Sequence, residues 1–166
     1  MHEIILSIDP GYDRMGCAVI GRRAHGKHAL LFSTCITTKK EDTFPARLFK
    51  ALEEVDAAIK AYAPSALALE NLFLTNNQKT AMRVAEVRGA LIYLAAKHNL
   101  ELFEYTPLEI KLAVTGYGKS SKDEVAAMLK HLVDLPDGRR LDDEYDAVAI
   151  GLAHIAIAKS PYPHAA

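Results

Sequence analysis

Tryptophan is absent from this 166-residue chain, and cysteine occurs only twice, at Cys17 and Cys35. Two cysteines are too few for a disulfide framework and have no metal-ligand spacing, so both read as small core hydrophobes. No apolar stretch approaches the roughly 20 residues that span a bilayer. The first residues alternate like a strand instead of running from charged to apolar, so no signal peptide is visible and a cytoplasmic location is the expectation. Charge of one sign is not in excess either: 20 Lys and Arg against 21 Asp and Glu leave a formal net charge of −1. That balance argues against a protein that coats nucleic acid through charge alone, although acids gathered at one place would leave the remaining surface more basic than the sum suggests. Repeats, low-complexity tracts and linkers are also missing. The expectation is one domain over residues 1–159, with a frayed Pro-containing tail over 160–166.

What is present begins with Glu3-Ile4-Ile5-Leu6-Ser7-Ile8-Asp9-Pro10-Gly11. An apolar run ends in an aspartate and a Pro-Gly pair stops it, so Asp9 stands at a strand end, either as a ligand or as the Asx residue that opens the turn. Strands are expected at 15–21 and 29–37, joined by a polar connection, which makes an antiparallel meander. A helix follows over 44–62, with Thr43 as cap, Pro45 in its first turn and Pro64 beyond its end. Residues 65–70 form a short buried strand that again closes on an acid, Glu70. The loop 72–77 leads to a long helix over 78–98, with Asn76 or Asn77 as candidate caps. A fifth strand is expected at 100–105. Thr106-Pro107-Leu108-Glu109 and Ser121-Lys122-Asp123-Glu124 each fit the reciprocal capping box. The last helix spans 141–159. Together these elements predict an α/β fold: a mixed five-stranded sheet, meander first and parallel strands after, flanked by helices. If the fourth strand lies parallel beside the first, Asp9 and Glu70 meet at the C-terminal strand edge, where open α/β sheets place their sites.

The last helix opens with Asp142-Asp143-Glu144-Tyr145-Asp146. Asp143 and Asp146 share a face; Asp142 and Asp146 are a competing pair. Acids in a first helical turn are ordinary, because they favour the helix dipole. Asp146 is not ordinary: it lies in the second turn, borders the apolar Ala147-Val148-Ala149-Ile150, and has no Lys or Arg within one turn of it on the helix, so it needs a partner from elsewhere. Asp9, Glu70, Asp143 and Asp146 would repel one another if gathered bare. Hard divalent cations such as Mg2+ take oxygen ligands of this kind, and two such ions about 4 Å apart suit phosphodiester hydrolysis.

The segments Ile8-Asp9-Pro10-Gly11 with Gly16, Leu69-Glu70-Asn71-Leu72-Phe73, Val87-Arg88-Gly89 and Asp143-Glu144-Tyr145-Asp146-Ala147-Val148-Ala149 resemble, in order and spacing over nearly the whole chain, the motifs of the RuvC family of Holliday-junction resolvases. The resemblance implies a ribonuclease H-like fold and a Mg2+-dependent, homodimeric endonuclease, with Mn2+ as a substitute ion. Its substrate would be four-way junction DNA, nicked in pairs during recombination and repair, and a branch-migration helicase would be its partner. It assigns Asp9, Glu70, Asp143 and Asp146 to the metal site and Phe73 to the aromatic that meets DNA near the scissile position. Lys111 and Lys122 match basic positions near the active site. Some members carry His where this chain has Asp143. Two other readings use the same residues: a ribonuclease H-like nuclease acting on RNA or an RNA-DNA hybrid, and a junction-binding module that does not cut.

Gly116-Tyr117-Gly118-Lys119-Ser120 has the look of a phosphate loop but lacks a glycine at Ala113 and follows a helix, which excludes that motif. Tyr117, Lys119 and Lys122 read instead as phosphate contacts from a mobile loop, the alternative being a merely solvated loop. His154 lies too far along its helix from Asp146 to share a metal and reads as structural. The segment 87–96 is apolar on more sides than one sheet face covers, and Gly89 is unfavourable in a helix interior, so a two-fold dimer on that helix is expected.

Overall fold

The computed structural model describes residues 3–71, 78–136 and 141–158. Its centre is β1 (Ile4–Asp9), where Ile5, Leu6, Ser7 and Ile8 are all fully buried. A strand that is covered on both faces belongs in the middle of a sheet flanked by helices. β1 pairs antiparallel with β2 (Arg14–Gly21), placing Asp9 opposite Gly16, and β2 pairs antiparallel with β3 (His28–Thr37). On its other side β1 runs parallel to β4 (Ala66–Glu70), with Ile8 beside Leu69, and β4 runs parallel to β5 (Glu101–Tyr105), with Glu70 beside Tyr105.

Among the described residues the sheet has six strands where five were expected, in the order β5-β4-β1-β2-β3-β6. The additional β6 (Val133–Asp134) is two residues long and lies parallel to the start of β3. Two residues carry no readable period. Val133 is also the C-cap of the preceding helix, and Arg23 pins the strand by reaching Asp134 at 2.5 Å.

α1 (Phe44–Tyr62) and α2 (Gln78–Lys97) cover one face of the sheet, packing on Leu6, Ile8, Val19, Leu67 and Leu69. α3 (Pro107–Thr115), α4 (Lys122–Leu132) and α5 (Asp142–Ile157) are on the other, over Ile5, Ala18, Ile20 and Ala68. Strand alternation puts Ile5, Ser7 and Asp9 on this second face, together with Ala66, Ala68 and Glu70. The residues there are small, so α5 lies close to the sheet: a side chain at Gly151 would come within 2.7 Å of Ser7 Oγ. Both capping boxes are formed, with Glu109 N–H donating to Thr106 Oγ1 and Glu124 N–H to Ser121 Oγ, each at 3.2 Å.

Several expectations need correction. Thr43 stands at the N-cap of α1 but its side chain makes no capping bond. Cys17 is a buried core residue, whereas Cys35 is only half-buried, because β3 lies near the sheet edge and is less fully covered. The proposed caps Asn76 and Asn77, the aromatic Phe73 and the tail 160–166 lie outside the described residues. No helix among the described residues is long and apolar enough to cross a membrane.

Candidate active site

Asp9 ends β1 and Glu70 ends β4, and because these strands are parallel neighbours the two carboxylates stand side by side on the face covered by α5. α5 brings its N-terminal turn to the same edge. Gly16 makes this possible: a Cβ there would fall 1.8 Å from the carbonyl oxygen of Asp143, so only glycine lets the helix start rest on β2. Ser33 fastens the turn by donating to Glu144 at 2.5 Å. Asp143 and Asp146 are half-buried and Asp142 is exposed.

A cavity of about 290 Å³ opens at this edge. Asp9, Glu70, Asp146, Lys111 and Lys122 supply its polar wall, and Pro107, Ile110, Val125, Ala149 and Ile150 its apolar one. Burial pushes the Asp9 carboxyl up to about 7, and the charges of Glu70, Asp146 and Asp143 add to the shift, with Lys122 opposing it. Glu70 is raised as well, by burial first and then by Asp146, against the pull of Lys122 and Lys111. The charge of Asp143 is among those that raise Asp9, whereas Asp142 is exposed and its charge acts on Lys122.

The partner that Asp146 needed comes from another helix: Lys122 on α4 donates to its Oδ2 at 2.9 Å, and this bond raises the lysine above its ordinary range. The partner of Asp143 is Arg14 at the start of β2, with Nη2 3.1 Å from Oδ2. Sequence reasoning did not find Arg14. The only available signal was that it opens the strand after the Asp9 turn, which means something only once that strand is known to lie under the start of α5.

Lys111 lines the cavity, while Tyr117 and Lys119 are exposed on the segment between α3 and α4. That segment is tied, not loose: Thr115 Oγ1 and Ser120 Oγ are 2.8 Å apart, and both donate to the carbonyl of Tyr117. Gly116 closes α3 as its C-cap, with no strand before it, in keeping with the rejection of a phosphate loop. His154 is buried in a structural role, with Nδ1 2.8 Å from the Tyr105 hydroxyl and its ring packed on Phe103.

Four carboxylates with raised or cation-engaged oxygens are a donor set for a hard divalent cation, since oxygen ligands and an excess of negative charge are what such an ion requires. The side chains are not preassembled around one point: among the described residues no three His, Cys, Asp or Glu form a ready metal cluster. Arg14 and Lys122 hold two of the four acids instead.

A mixed sheet that opens with an antiparallel meander, with acids at the ends of its first and fourth strands and on its last helix, defines a ribonuclease H-like domain of the nuclease type. Within that class the chain belongs to the Crossover junction endodeoxyribonuclease RuvC family, whose sequence pattern it matches over residues 5–154. It is 40% identical over 154 residues to the Crossover junction endodeoxyribonuclease RuvC of Pseudothermotoga lettingae, covering 93% of this chain and 94% of that one. The protein of the same name from Alkaliphilus oremlandii is 39% identical over 151 residues, covering 91% and 92%. The structure of T. thermophilus RuvC in complex with Holliday junction substrate superposes with a TM-score of 0.89 at 27% identity, covering 95% of this chain and 96% of that one.

Proposed function

We propose that this protein is a metal-dependent endonuclease that resolves four-way DNA junctions by paired, symmetric nicks during recombination and repair. The observation that carries the reading is the convergence of Asp9, Glu70, Asp143 and Asp146 on one sheet edge, where burial first and then the neighbouring acids push Asp9 up to about 7. Membership of a resolvase family supports a junction over an RNA-DNA hybrid as substrate, and cutting over passive binding.

Asp9, Glu70, Asp143 and Asp146 would hold the metal. Bound there, Mg2+ ions, two per site and replaceable by Mn2+, would supply activation of the attacking water and stabilisation of the leaving oxygen. The protein's own part is to hold the carboxylates together, Asp143 and Asp146 against Arg14 and Lys122, and to seat the scissile strand. Lys111 and Lys122, on the cavity wall, neutralise the approaching phosphate, and Tyr117 and Lys119 contact backbone phosphates beyond it. Phe73 stacks on an unpaired base at the crossover, an interaction worth about 1 to 3 kcal/mol. With the acids collected in one place, the near-neutral total charge is compatible with a basic surface around them.

Two nicks need two sites, and α2 is where a second copy fits. Met82 and Tyr93 are 69% and 68% exposed on that helix. A Cβ at Gly89 would meet nothing within 4 Å among the described residues, so contacts among these do not account for the glycine. A two-fold pairing along this face puts two like sites on a junction of matching symmetry. The helicase partner is carried over from the family, and the cytoplasmic location from the sequence reading.

A synthetic four-way junction incubated with and without Mg2+, beside an RNA-DNA hybrid, tests the reading. Symmetric nicks on the junction only, and only with metal, are expected; cleavage of the hybrid alone, or binding without cutting, overturns it. Phe73→Ala should lose most junction cleavage at an unchanged melting temperature.

A further inference from the structure

We infer that Arg14 is a positioning residue of this site: it keeps Asp143 apart from the other three carboxylates and surrenders it when a nucleic-acid phosphate offers the guanidinium a better partner. The inference rests on the reading of Asp143 as a member of the metal site.

Three of the four acids line the cavity, and Asp143 does not. Yet Asp143 is near enough for its charge to be felt at Asp9. What separates it from the others is Arg14, whose Nη2 stands 3.1 Å from Asp143 Oδ2. The pair is lopsided: the Arg14 side chain is 52% exposed and that of Asp143 only 17%. The contact is one of charge, since Asp143 Oδ2, although buried, accepts no hydrogen bond. The backbone of Asp143 cannot shift toward β2, because its carbonyl already sits against Gly16, so any re-aiming is left to the side chain.

A half-exposed ion pair without hydrogen-bond alignment holds weakly. A phosphate offers guanidinium two parallel charge-assisted bonds, a stronger arrangement. When a DNA strand reaches this edge, Arg14 moves to a phosphate oxygen and Asp143 regains an uncompensated charge beside Asp9. In free protein Arg14 therefore competes with a divalent cation for Asp143, and DNA and metal reinforce one another's binding. Lys122 differs from Arg14, because it engages Asp146 within the cavity wall instead of outside it.

The test is Mn2+ binding to the full-length protein without DNA, followed by calorimetry or electron paramagnetic resonance. Wild type, Arg14→Gln, Arg14→Lys, Asp143→Asn and the double variant Arg14→Gln/Asp143→Asn are compared, with thermal melts to establish that each is folded. Removing the competitor should tighten Mn2+ binding by about two- to fivefold in Arg14→Gln, the scale of an exposed ion pair. Arg14→Lys should stay near wild type, and the double variant should bind as weakly as Asp143→Asn. In junction binding without divalent metal, Arg14→Gln should also lower the salt-dependence slope by about one, as expected on losing one phosphate contact. A merely structural Arg14 gives the opposite sign, because a loosened Asp143 weakens metal binding. If Arg14→Gln leaves Mn2+ affinity unchanged or weaker while Asp143→Asn lowers it, the role of Arg14 is overturned and the site stands. If Asp143→Asn has no effect on Mn2+ affinity, the assignment of Asp143 to the site fails instead.

Discussion

Asp9 and Asp56 are both largely covered by the protein, yet their carboxyls are driven in opposite directions. Asp56, on α1, is 7% exposed, bonded by Lys60, 2.7 Å from His98 Nε2 and 3.6 Å from Lys97 Nζ. The hydrogen bonds from Lys60 and then His98 hold it well below the usual carboxylate range. Asp9, at the end of β1, has acids for neighbours and is pushed up to about 7, by burial above all. Around Asp56 the fold supplies the compensating cations itself, from α1 and from the end of α2, and the result is a brace between two helices. Around Asp9 it supplies mainly acids, with Lys122 as a partial counter-charge, and leaves the rest of the compensation to come from outside. The difference between a structural acid and a candidate site acid is therefore not in the residue type: burial raises Asp9 and its acidic neighbours add to it, whereas around Asp56 hydrogen-bonding cations outweigh burial.

The strongest way to test this contrast is to neutralise one acid of each kind. Asp9→Asn, Glu70→Gln or Asp146→Asn should each cut junction cleavage by about a thousandfold or more while leaving binding nearly intact, because charge stabilisation of the transition state is lost and phosphate contacts are not. Asp56→Asn should leave single-turnover cleavage within about twofold, since its cluster touches no part of the cavity. Gel assays of cleavage and gel shifts without metal read both.

The next test concerns stability in the absence of metal. An acid with a raised folded pKa stabilises the fold while protonated, so the Asp9 contribution is complete below its ordinary value of 3.8 and is lost as pH rises through about 7. Asp9→Asn keeps a neutral side chain at every pH. It should raise the unfolding free energy of metal-free protein at pH 8 by up to about 4 kcal/mol, and the gain should vanish near pH 4. A variant as unstable as wild type at pH 8 would show that Asp9 is not under charge strain.

Asp56 should do the reverse. Its folded pKa is depressed, so its contribution is present above the usual carboxylate range and is lost as pH falls through the folded value. Asp56→Asn should therefore lower the unfolding free energy at pH 7 by about 1 to 3 kcal/mol, and the difference from wild type should shrink in acid. Denaturant melts at pH 7 and pH 3 measure it.

The smallest effect belongs to Asp142. It is exposed and does not line the cavity. Asp142→Asn should keep cleavage within about twofold of wild type, as for most surface changes away from a site. A large loss would transfer to Asp142 the role given to Asp143.

Much of this was legible without a structure. The strand that stops at Asp9-Pro10-Gly11, the short strand that closes on Glu70 and both capping boxes are written in local pattern, because turn chemistry and side-chain period act over a few residues. The second-turn position of Asp146 at the edge of an apolar run marked it as an acid short of a partner. The sixth strand was not legible, since two residues have no period and pair only when β3 is already beside them. Nor could local pattern name the cations that engage the acids. Arg14 and Lys122 stand 129 and 24 positions before their partners, and no spacing rule connects residues that meet across a sheet edge. Nor does it separate Asp142 from Asp143, because both occupy a first helical turn and only the seating of α5 on the sheet leaves Asp142 exposed and Asp143 half-buried. Residue types and their local order determined which chemistry is available. The packing of α5 on small residues of the sheet decided which charges meet, because electrostatic neighbours are set by distance in space and not along the chain.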